Sequence, residues 1–205
     1  MALVNWFNQY ENKFGYRWYF PELLYRLVDL KILTNFRSIL GIGSGRAFTE
    51  NMLARNGYVI ASDTNTQLVH IARKRAKKVI FLACNGFNLP FQNQSFECVY
   101  SQGLLEHFEA QSADKLLREM RRVGETVVFS VPLDSCKASP LGIEYRRKPI
   151  EWRHILSNIF EFAVILFYFN MEEAVFVASD KPLKNKNDFS ATKTLKRILG
   201  LPIRG

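Results

Sequence analysis

The sequence predicts an α/β fold, a doubly wound and mostly parallel sheet with helices on both faces. Three observations carry that prediction. Short apolar runs alternate with segments of helical periodicity from Ser38 to Asn158. Gly41, Gly43 and Gly45 form a turn at the end of the first run, where the backbone must be open to a ligand. Asp63 closes the second run, twenty positions after Gly43. Right-handed crossovers put the carboxyl ends of parallel strands on one edge, where ligands of such sheets bind.

The elements follow in order. Residues 1–36 read as a helical, aromatic-rich cap, with Trp6, Phe7, Tyr10, Phe14, Trp18 and Phe20 ahead of Pro21, a residue suited to the first turn of a helix. Ile39 and Leu40 end the first strand. Phe48, Met52 and Leu53 recur at helical spacing, and Asn56-Gly57 has the chemistry of a helix C-terminus. Tyr58 to Ala61 is the second strand. Asn65 or Thr66 caps a helix carrying Leu68, Ile71, Ala72 and Ala76. Val79 to Ala83 is a third strand, and Asn85 to Phe91 a loop stopped by Pro90.

Phe96 to Tyr100 is the fourth strand, ending in Ser101-Gln102-Gly103. A helix capped near Ser112 turns Leu116, Leu117, Met120 and Val123 inward and ends at Gly124. Thr126 to Val131 is the fifth strand. A polar loop spans residues 133–148, with Arg146 and Arg147 read as solvated and an anionic acceptor as the alternative they would face. Pro149 to Asn158 is helical. Phe160 to Phe169 and Ala174 to Ala178 pair as a hairpin, which makes seven strands. The chain divides into one domain over 1–180 and a basic tail over 181–205.

Composition bounds the function. The 205 residues, 48% hydrophobic and 14% aromatic, support a packed core rather than a disordered chain. The longest apolar run, Phe162 to Phe169, is too short to span a bilayer. The N-terminus has no basic region leading into an apolar core, so a secretory signal is not expected. Cys84, Cys98 and Cys136 lack metal-site spacing and read as free thiols in a reducing, cytoplasmic setting. With His70, His107 and His154 scattered, no metal is expected. The net charge of +9 is uneven: seven Lys/Arg oppose two Asp between Asp180 and Gly205. A solvated tail accounts for that, with RNA contact as the sharper alternative.

Gly43, Asp63, Asn85 and Gln102 each follow a predicted strand, so all four meet on one edge. An ionised carboxylate there suits the paired hydroxyls of a ribose. The edge therefore announces a nucleoside cofactor.

Four stretches name it: ILGIGSGRAFTE, VIASDTN, CNGFNLPFQNQSFECVYSQGLLEHF and VVFSVP. Together they resemble the class I S-adenosylmethionine-dependent methyltransferases, of Rossmann-like fold, and in particular the subgroup related to quinone-biosynthesis methyltransferases. The resemblance covers roughly Ile39 to Leu156. It implies S-adenosylmethionine as cofactor. Gly41, Gly43, Ser44 and Gly45 would line the methionine and ribose, Asp63 would bind the ribose hydroxyls and Thr64 would sit beside the adenine. Asn85 and Gly86 would face the adenine edge, with Phe87 against its ring. Ser101, Gln102 and Gly103 would border the sulfonium and the methyl acceptor. Glu106 and His107 are the candidates for a general base, although a helix-start carboxylate and a packed imidazole are the ordinary readings of each.

Three departures stand out. Similar proteins carry Asp or Glu at the position of Gly41, Gly at that of Ala47, and often Asp at that of Asn85. Gly41→Asp is accordingly expected to strengthen cofactor binding. The implied activity is methyl transfer to a small-molecule acceptor by in-line displacement, with no membrane span. The alternatives are a methyltransferase-like binding or partner protein without turnover, and an RNA-associated methyltransferase. A nicotinamide dehydrogenase fits less well, because Arg46 stands where the dinucleotide pattern wants its third glycine.

Overall fold

The computed structural model describes residues 32–136, 143–168, 173–182 and 197–200. Most of the expected N-terminal cap and most of the tail lie outside the described residues. The sheet has eight strands: β1 Ser38–Ile42, β2 Tyr58–Asp63, β3 Ile80–Ala83, β4 Phe96–Gln102, β5 Gly124–Pro132, β6 Phe162–Tyr168, β7 Glu173–Ser179 and β8 Arg197–Gly200. Among the described residues the α-helices that accompany them are α1 Phe48–Leu53, α2 Thr66–Arg75, α3 Ala110–Val123 and α4 Pro149–Ser157.

The strand order is β3-β2-β1-β4-β5-β7-β6-β8. The first five strands in sequence pair in parallel, and β7 enters antiparallel between β5 and β6. The sequence predicts seven of these strands. The eighth, antiparallel to β6, lies inside the stretch read as a tail. Side-chain periodicity could not reveal a four-residue edge strand whose pairing is made by its backbone.

Both faces of the sheet are covered, which explains why its strands read as continuous apolar runs rather than alternating ones. Ile39 packs on the face shared with Ala47, Leu53, Val69 and Ala72, while Leu40 and Ile42 pack on the face shared with Leu116, Leu117 and Met120. On that second face Phe129 stacks on Phe176, ring centroids 4.7 Å apart, and Trp152 of α4 tilts against both. Ile32 and Leu33, at the end of the expected cap, are buried on the first face.

Two helix ends differ from expectation. α3 starts at Ala110 with no side-chain cap rather than at Ser112. Gly124 does end it, but at φ −124°, as the first residue of β5. Its lack of a side chain serves packing, since a Cβ there would collide with Val99 of β4.

Candidate functional site

The parallel strands β1, β2, β3 and β4 deliver Gly43, Asp63, Asn85 and Gln102 to one edge of the sheet. Gly43 and Gly45 both have positive φ, +66° and +52°, a region that favours glycine. The Gly45 N–H donates to Asp63 Oδ2 at 2.9 Å, and the Asn65 N–H donates to Oδ1 at 2.8 Å. One carboxylate thus ties the glycine turn after β1 to the N-terminus of α2. Each of its oxygens keeps a second lone pair. Asn65 caps α2, accepting from the Gln67 and Leu68 N–H groups.

The remaining predicted residues surround this turn. Ser44 Oγ is buried without a hydrogen-bond partner, and a Cβ on Gly45 would meet nothing within 4 Å. Thr64 is exposed beside Asp63. Asn85 spends its Oδ1 on the Phe87 N–H, at 3.0 Å, so it shapes its own loop. Gly86 is where close packing forbids a side chain: a Cβ would lie 2.9 Å from Ile42 Cγ2. Phe87 is part-exposed and meets Phe108 edge-on at 5.2 Å. An orphaned hydroxyl, open space at Gly45 and a carboxylate with spare lone pairs are what a nucleoside with a charged side arm requires. The residues fit the implied cofactor.

At the end of β4, Ser101 Oγ is buried and unpartnered, and Gln102 Oε1 accepts from the Tyr100 hydroxyl at 3.1 Å. Gly103 is left-handed, φ +61°, and its N–H donates to the Ser130 carbonyl. Glu106 and His107 lie in a 3-10 turn, Leu105–His107, rather than at a helix start. Glu106 is buried, its Oε2 has no partner, and Oε1 lies 3.4 Å from where a Gly103 Cβ would be. Burial pushes its carboxyl up to about 8. Its own backbone N–H opposes this, Glu144 and Glu173 add to it and Arg146 offsets it. His107 Nδ1 pairs with the Ile143 carbonyl at 3.2 Å.

Residues 40–126 match the family profile described as a methyltransferase domain. The strand order, with its antiparallel β7, agrees with that match. Residues 40–126 therefore form a methyltransferase domain, within a sheet of Rossmann-like methyltransferase fold. A "Probable tRNA methyltransferase 9B" of Bos taurus is 33% identical over 85 residues, 41% of this chain and 18% of that protein. A demethylmenaquinone methyltransferase of Thermotoga maritima is 28% identical over 101 residues, 48% of this chain and 43% of that protein. The chain spans less than half the length of these curated relatives.

Two solved structures share the fold of the domain. One is a magnesium protoporphyrin IX methyltransferase from Synechocystis PCC 6803 with bound SAM, at TM-score 0.67 and 14% identity, covering 85% of this chain and 91% of that one. The other is a DhpI–SAH complex, at TM-score 0.69 and 15% identity, covering 89% and 96%.

Ala47, standing where similar proteins have glycine, adopts φ 53° and ψ 42°. A Cβ in that region is strained. Ala47→Gly should therefore raise stability by about 0.5–1 kcal/mol in urea denaturation.

The loop before α4 also differs from expectation. Arg147 is not solvated: it is buried, donates to the Phe108 and Tyr145 carbonyls, and lies 5.0 Å from the Trp152 ring centroid. Arg146 pairs with Glu144 at 2.5 Å. Two arginines read as wet are structural straps, because a guanidinium caps carbonyls and stacks on an indole as readily as it meets water. His70 and His154 are both exposed. Beside the strap lies an open hollow of about 420 Å³ lined by Arg147, Glu151 and His154 among others, none of them a predicted cofactor residue.

The cysteines are free thiols, and no cluster of three potential metal ligands occurs among the described residues. No helix of the described residues is long and apolar enough to cross a membrane.

Proposed function

We propose that the chain binds S-adenosylmethionine at the edge formed by β1 to β4 and transfers its methyl group to a small-molecule acceptor. The observation that carries this reading is the Asp63 carboxylate, held by the Gly45 and Asn65 N–H groups with lone pairs left for a ribose. When bound, the cofactor supplies a sulfonium-activated methyl group. The residues described here would hold it: Asp63 by the ribose, Asn85, Gly86 and Phe87 by the adenine, and Ser44 and Gly45 along the turn. Ser101, Gln102 and Gly103 border the acceptor.

Transfer of that methyl would be an in-line displacement by an acceptor lone pair, with the neutral thioether as leaving group, so the site has chiefly to align the acceptor behind the methyl. Positioning alone supplies about 7–11 kcal/mol of barrier lowering for such a step. An acceptor that loses a proton needs a group to receive it. Glu106, beside Gly103 with one unpartnered oxygen, is our assignment for that role.

The demethylmenaquinone methyltransferase relative supports a small acceptor. An RNA acceptor is the second reading, favoured by the net charge of +9 and by the relatives named as tRNA methyltransferases. Calorimetric titration with S-adenosylmethionine, followed by transfer of labelled methyl to fractionated small molecules and to RNA, tests both. No heat at millimolar cofactor would overturn the binding reading. Label confined to RNA would overturn the small-molecule one.

A further inference from the structure

β1 carries no side chain at Gly41, yet the space a side chain would occupy is filled. A Cβ on Gly41 would run into Glu50 Oε1, with Glu50 Cγ at 3.0 Å and Ser44 Oγ at 2.7 Å. Glu50 comes from α1, nine residues further along, and is only 4% exposed. Its carboxyl group stands over a β1 position flanked in register by Ala61 and Tyr100, both buried. Ser44 Oγ beside it is buried and has no partner. A carboxylate is costly to withdraw from water unless it serves an interaction. It also offers about four lone-pair sites, so contacts within the protein leave room for a ligand's donor.

The position has a chemical consequence. With the ribose on Asp63, the rest of the cofactor has to pass the Gly45–Gly43 turn toward the end of β1. That arm carries an α-ammonium group. The carboxyl group that stands against the end of β1 is that of Glu50. We propose that Glu50 binds the α-ammonium of S-adenosylmethionine, supplying from α1 the carboxylate that β1 lacks at Gly41.

This rests on the cofactor reading above, and it reverses the expectation for Gly41→Asp. An aspartate there would be driven into Glu50, and two carboxylates would share one position. Cofactor binding should weaken rather than strengthen.

The test is calorimetry on the full chain with three probes: S-adenosylmethionine, S-adenosylhomocysteine and 5′-methylthioadenosine. The third keeps the nucleoside and lacks the ammonium. Glu50→Gln should bind the first two about 10- to 100-fold more weakly, while methylthioadenosine affinity stays within about twofold and shows that the turn is intact. Gly41→Asp alone should bind S-adenosylmethionine more weakly than wild type. Gly41→Asp combined with Glu50→Ala should recover most of what Glu50→Ala loses. Unchanged S-adenosylmethionine affinity in Glu50→Gln would overturn the proposal, and so would a parallel loss for all three probes. Absence of binding by the wild-type chain would instead overturn the cofactor reading on which it rests.

Discussion

Asp63→Ala should abolish measurable binding of S-adenosylmethionine, with at least a 100-fold loss of affinity by calorimetry. The carboxylate does two jobs at once. It accepts the Gly45 and Asn65 N–H groups, at 2.9 and 2.8 Å, and so holds the glycine turn against the start of α2. On the proposed cofactor reading, its remaining lone pairs would accept two ribose hydroxyls. A hydrogen bond to a charged group contributes about 1.5–3 kcal/mol, so losing two removes a factor of about 100 or more before the loosened turn is counted. Asp63→Asn separates the two jobs. It retains an acceptor for the Gly45 N–H and surrenders the charge, and should fall between wild type and Asp63→Ala. Undiminished binding by Asp63→Ala would remove Asp63 from the ribose site.

Glu106→Gln should stabilise the protein at alkaline pH and leave it nearly unchanged at pH 5. The Glu106 carboxyl is buried and raised to about 8 from an ordinary value of 4.5. Between those values the folded chain keeps a proton that the unfolded chain releases. The unfolded state then binds fewer protons, and stability falls as pH rises. The contribution is fully present below about 4.5 and is lost as pH rises through about 8. The gap between the two values corresponds to about 5 kcal/mol as an upper bound. Glutamine fills the same volume and cannot ionise. The stability difference between variant and wild type, read from urea curves at pH 5, 7 and 9, should therefore widen steadily with pH. A difference that does not vary with pH would mean that Glu106 is ionised and paired in the folded chain.

Such a carboxyl next to Gly103 also has a functional sense. A neutral, buried acid with an unpartnered oxygen becomes a base near its own titration point, where proton transfer is most effective. If Glu106 receives the acceptor's proton, the methyl-transfer rate should rise with pH toward 8, while cofactor affinity in Glu106→Gln stays unaltered.

The sequence by itself determined the order of the first seven strands, the glycine turn and the carboxylate that answers it. Those features are local. Alternation of apolar runs with helical periodicity marks the βαβ units, and Asp63 ends its strand wherever the rest of the chain goes. The crowded helix ends were less legible. Gly124 reads as a helix stop, and only its contact with Val99 on a neighbouring strand shows why it is glycine. Ala47 reads as a lost glycine, yet the turn forces it into the left-handed region and the shape survives.

Only the tertiary structure decided what fills the space beside Gly41 and where the arginines go. The missing carboxylate at Gly41 is visible along the chain as a departure from similar proteins, and nothing in the sequence ties it to Glu50 nine positions later. Folding α1 back onto β1 puts the second into the place of the first. Arg147 likewise reads as a loop cation until α4 sets Trp152 beneath it and Phe108, just after the 3-10 turn, offers its carbonyl. Periodicity and turn chemistry act between near neighbours in sequence. Which side chain occupies a space between two elements depends on how those elements pack.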